Sequence, residues 1–93
     1  MDPISRLEDL KNVAARLSIS VVTDCLFDPE ITIQSGYCKV QGKKMIILDR
    51  LLTIEDQSEI ILHTLKQFNL EAIYLPLWIR EHIESNNNTR NQI

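Results

Sequence analysis

The sequence predicts a small α+β domain of α-β-β-β-α-α order, with a three-stranded antiparallel meander packed against helices. Three observations predict it. Residues 3–17 repeat their apolar positions every three or four residues, the mark of an amphipathic helix. Residues 18–49 change to short β-branched and apolar runs separated by turn chemistry. The stretch from Lys43 to Asn69, KKMIILDRLLTIEDQSEIILHTLKQFN, then joins an apolar strand to the best-marked helix of the chain.

Taken in order, Asp2 is a capping residue and Pro3 suits a first helical position. Ile4, Leu7, Leu10, Val13, Ala14 and Leu17 make one stripe of a helix over Pro3 to Leu17, and Arg6, Glu8, Asp9, Lys11, Asn12 and Arg16 lie mostly on the other side. Ser18 to Phe27, SISVVTDCLF, reads as the first strand, and Asp28-Pro29-Glu30 as a turn. The second strand begins at Ile31 to Gln34, breaks at Ser35-Gly36 and resumes at Tyr37 to Val40. Gln41-Gly42 is a two-residue hairpin loop, and Lys43 to Asp49 the third strand. Its continuous Met45–Leu48 run suits a strand covered on both faces, or one with a partner on its second face.

Thr53 is the expected N-cap of a second helix over Ile54 to Phe68, with Asp56 where a capping-box acid belongs and Asn69 as a left-handed end. At roughly 100° per residue, Ile54, Ile61, Leu65 and Phe68 share one arc flanked by Ile60 and Leu62, while Asp56, Glu59, His63 and Gln67 lie opposite. His63 is therefore exposed or lines a groove. Pro76 opens a last short helix, Leu77 to Glu84. The domain is expected over 1–84; residues 85–93, SNNNTRNQI, carry almost no apolar content and are expected to be disordered.

At 93 residues the chain makes one domain, burying roughly 60–65% of its unfolded surface. Net charge is −3 and the pI about 5.3, which argues against nucleic acid held by bulk electrostatics. No apolar run reaches membrane-span length, and the opening MDPISRLEDL has no signal-peptide core. The expected setting is bacterial and cytoplasmic, without a membrane partner, so the two cysteines are expected to be reduced.

The phrase IILDRLLTIEDQSEIILHTLKQF, residues 46–68, resembles the strand–link–helix cassette of the IrrE-like zinc metallopeptidases. Ile46-Ile47-Leu48-Asp49 is similar to their strand end, and Thr53-Ile54-Glu55 to their helix start. His63 stands where the first zinc histidine of His-Glu-x-x-His belongs. The rest of that motif departs: Thr64 replaces the general-base glutamate and Gln67 the second histidine. Two histidines one turn apart are needed to hold the metal, and the glutamate to activate its water. The resemblance spans about a quarter of the chain and implies a scaffold without peptidase activity, metal or cofactor.

Two surfaces are candidates for binding. Glu59, His63 and Gln67 form a residual polar groove on one reading and a solvated helix face on the other. Tyr74, Leu77, Trp78 and Ile79, within the apolar run from Ile73, form either core or an interface for another protein or a second copy. Cys25, Cys38, His63 and His82 lack metal-knuckle spacing, and small apolar packing is the plainer role for the thiols. His82 is expected partly buried beside Trp78. Lys39, Lys43 and Lys44 gather at the hairpin tip, where lysines either protect an edge or meet an acidic partner. The expected function is a non-catalytic binding or interaction domain; the alternative is a metal-binding protein or hydrolase using His63 and Glu59.

Overall fold

The computed structural model describes residues 2–24 and 35–91, with side chains through residue 84. Helix α1 spans Pro3–Arg16. Asp2 caps it: Ser5 donates its backbone N–H to Oδ1 at 2.8 Å and its hydroxyl to Oδ2 at 3.1 Å. The Ser5 backbone hydrogen bond, then that from its hydroxyl, hold the Asp2 carboxyl below its usual range. This cap is therefore complete above the ordinary carboxylate pKa and is lost as pH falls through the lowered one. Ser18 turns the chain out of the helix at φ 61°, donating its N–H to the Ala15 carbonyl at 3.0 Å. That is the left-handed position after a helix, which glycine usually fills.

Strands β1 (Ile19–Asp24), β2 (Gly36–Val40) and β3 (Lys43–Asp49) form one sheet. The expected antiparallel meander is corrected here. The order is β1-β3-β2, and β1 runs parallel to β3, with Ile19 beside Lys44 and Asp24 beside Asp49. Only β2 and β3 form an antiparallel hairpin. The physical reason lies in the apolar Met45–Leu48 run, which takes the middle of the sheet, where both edges of its backbone are paired. The outer strands carry the polar, exposed positions: Ser20, Thr23 and Asp24 on one side, Lys39 on the other. The expected hairpin turn is present. Gln41 and Gly42 take φ of 52° and 80°, the pair of positive values that matches strand twist in a two-residue loop. The first strand begins at Ile19, one residue after the expected Ser18; Cys25 to Phe27, the expected Asp28-Pro29-Glu30 turn and the expected Ile31–Gln34 stretch lie outside the described residues.

Asp49 ends β3 with an Asx turn, its Oδ1 accepting from the Leu51 N–H at 3.0 Å. Helix α2 spans Ile54–Leu65, with Thr53 Oγ1 accepting from the Asp56 N–H at 3.0 Å. It ends before Phe68 because its last turn tightens: Gln67 and Phe68 donate to the Thr64 and Leu65 carbonyls, three residues back. Asn69 acts through its side chain, which accepts from the Glu71 N–H at 3.0 Å, and not through a left-handed backbone. Helix α3 starts at Leu77 as expected and runs to Asn91, past the expected Glu84. Among the described residues, no helix is long and apolar enough to cross a membrane.

One core joins these elements. Leu7, Leu10, Val13 and Ala14 of α1 meet Ile61, Leu62 and Leu65 of α2 over Ile19, Ile46 and Leu48 of the sheet, and Leu75 and Ile79 close the cluster. Each such aliphatic side chain contributes about 1.5–3 kcal/mol when fully buried. Gln57, a buried polar residue, donates its side-chain N–H to the Leu52 carbonyl at 3.1 Å and ties the link to α2.

Two outcomes follow from this architecture. Hydrogen exchange should protect consecutive amides, such as Ile46 and Ile47, in β3, but only alternate amides in β1 and β2; consecutive protection over 37–40 would restore the meander order. Ser18→Gly should raise stability in urea titration by about 1 kcal/mol, the cost of a left-handed non-glycine residue.

Candidate functional site

Two grooves run along α2, and Glu59 borders both. The first, of about 510 Å³, lies between the three helices. Arg6 enters from α1, Glu55, Ser58, Glu59 and Leu62 from α2, and Trp78, Glu81 and His82 from α3. Helical periodicity places them: Glu55, Ser58, Glu59 and Leu62 recur at spacings of three and four, as do Trp78, Glu81 and His82.

Trp78 forms a fixed wall. Its indole N–H donates to Asp9 Oδ2 at 2.8 Å, and the Arg6 guanidinium lies 5.4 Å from the ring centroid. A carboxyl acceptor and a cation over the ring hold it on α1. Three carboxylates, Glu55, Glu59 and Glu81, stand around it exposed. None has an ion-pair partner among the described residues. Ser58 lines the same groove, and its hydroxyl oxygen is buried without a hydrogen-bond partner.

The second groove, of about 530 Å³, lies between α2 and the start of β2. It brings together Glu59, His63 and Gln67, with Tyr37 and Ser35 opposite. His63 is exposed. Thr64 is buried and donates its hydroxyl to the Ile60 carbonyl at 3.0 Å. That bond is internal to the helix and engages its proton. Among the described residues, no three His, Cys, Asp or Glu side chains converge as a metal site requires. His63 and His82 line different grooves, Cys38 sits half-buried on β2 as a free thiol, and Cys25 lies outside the described residues.

The C-terminal apolar segment divides. Tyr74 and Leu77 are 66% and 67% exposed, Trp78 is half-buried, and Ile79 is wholly buried in the core. The Arg16 guanidinium lies 5.5 Å from the Tyr74 ring centroid, so α1 holds this segment at both ends, through Arg16 and through Arg6 with Asp9. The three-helix groove was not legible in the sequence, because its walls come from separate helices. The one available signal was the lone tryptophan beside His82.

No protein-family model matches the chain, and neither a curated protein nor a solved structure does.

Ser58→Ala should leave stability unchanged or raise it by up to about 1 kcal/mol in urea titration, since it removes an unsatisfied buried oxygen and improves helix propensity. A loss of more than about 1 kcal/mol would mean that the hydroxyl has a partner.

Proposed function

We propose that this chain is a non-catalytic protein-interaction module whose binding surface is the Trp78 groove between the three helices. The supporting observation is the fixing of Trp78 by Asp9 and Arg6 beside carboxylates that have no ion pair among the described residues. A rigid aromatic wall supplies contact area at little entropic cost, and such residues anchor interfaces. The exposed Leu77 lies next to Trp78 in the chain. Glu55, Glu59 and Glu81 outnumber Arg6 around the groove, so a cationic segment carrying an apolar residue complements it.

Trp78 is the only tryptophan and so reports directly on the groove. A synthetic amphipathic lysine-leucine peptide should shift its fluorescence saturably. The shift should weaken about tenfold or more in a Glu59→Gln, Glu81→Gln double variant and at high salt. Emission unmoved by the peptide would overturn this reading.

A second reading makes His63 and Glu59, one turn apart in the other groove, a metal-binding or hydrolytic pair. The resemblance of 46–68 to the metallopeptidase cassette implies the first reading instead, since Thr64 and Gln67 stand where that cassette carries its glutamate and second histidine. Calorimetric titration with zinc separates the two: the interaction module gives no stoichiometric uptake, whereas one equivalent lost in His63→Ala favours the metal site.

A further inference from the structure

The protein carries a second group of unpaired charge, opposite in sign to the groove. Around the β2–β3 turn, Lys39 stands directly across the ladder from Lys44, and Lys43 across from Val40. Like charges directly opposite repel. The Lys44 ammonium is drawn over the Phe68 ring, 5.4 Å from its centroid. Lys39 and Lys43 are exposed, and neither has an ion-pair partner among the described residues. Val40, directly across from Lys43, is 47% exposed. Val40 and Lys43 thus share one face of the tip, while Lys39 and Lys44 lie on the other, on a loop narrowed to two residues.

The groove offers the counterpart: carboxylates at Glu55, Glu59 and Glu81, and apolar surface at the half-buried Trp78. The two surfaces belong to opposite ends of α2. Glu55 and Glu59 occupy its first turns, whereas Lys44 stacks on Phe68 beyond its last. Twelve residues of helix separate those ends by about 18 Å. Among the described residues the tip lysines form no ion pair with the groove carboxylates of their own molecule, which leaves both surfaces open to another molecule.

We propose that the occupant of the Trp78 groove is a second copy of this chain, whose β2–β3 tip docks end on and head to tail, with Val40 against Trp78 and with Lys43 beside it, and Lys39 from the other face of the hairpin, against the carboxylates. This rests on the groove being a binding surface, as proposed above. The contact is heterologous: each molecule offers a tip and a groove, so the assembly grows as a ring or an open chain. The pairing is between exposed charges, so it is weak and strongly salt-dependent.

Sedimentation velocity over a range of concentrations tests it. The average mass should climb with concentration at about 0.01 M ionic strength and return to monomer at about 1 M, where the screening length drops from about 30 Å to about 3 Å. Lys39→Glu with Lys43→Glu, and separately Glu59→Lys with Glu81→Lys, should each weaken association at least about tenfold. Mixing the two variants should restore it, because each tip then meets a groove of opposite sign. Circular dichroism checks that each variant is folded, and the milder Lys43→Gln should weaken association by an intermediate amount.

A chain that stays monomeric at low salt overturns the proposal. So does association insensitive to both reversals, or folded variants that fail to associate when mixed. If the lysine-leucine peptide still shifts Trp78 emission while the chain stays monomeric, the groove reading stands and only self-docking fails. If neither is seen, both fail.

Discussion

The structure depends on the placement of β3 between β1 and β2. Its Ile46 and Leu48 are wholly buried under the helices, and the backbone of the same strand is paired along both edges. Strand and core are therefore one constraint. Moving β3 to an edge would leave a row of its backbone groups unpaired, and slipping it by one residue would turn Ile46 and Leu48 away from the helices. The turn at Gln41-Gly42 and the Asx turn at Asp49 hold its two ends.

Everything beyond the sheet is arranged from that strand. The link after Asp49 delivers Thr53 to cap α2, and Gln57 reaches back to the Leu52 carbonyl to hold the link. Once α2 lies on α1, a gap remains at their outer edge, and α3 fills it only partly. Ile79 enters the core while Trp78, one residue earlier, stays at the surface and bonds to Asp9. The groove is the space left where three helices meet around a ring that is fixed in place. Its acidic character follows from the exposed faces of α2 and α3, which carry Glu55, Glu59 and Glu81.

The polar cluster around His63 was legible in the sequence because it lies on one helix. Helical spacing alone puts Glu59, His63 and Gln67 on a line. The partners across from them, Ser35 and Tyr37, come from the approach to β2 and its first residues, which no spacing connects to α2. The same holds more strongly for Trp78. An apolar run from Ile73 to Ile79 does not say which of its members faces inward when the segment is short and irregular before the helix begins.

The sequence by itself determined the order of elements, the bounds of the third strand, the caps at Asp2 and Thr53, the hairpin at Gln41-Gly42, and the start of each helix after the first. All of these are set by residues within a few positions of one another, where capping, turn conformation and periodicity act. Tertiary structure decided the parallel pairing of β1 with β3, the tightening of the α2 end, the left-handed Ser18, and the division of the C-terminal segment between core and surface. Local chemistry does not distinguish a meander from a mixed sheet when every strand is short. The choice falls to whichever strand can be buried on both edges, and that is known only once the helices have covered it.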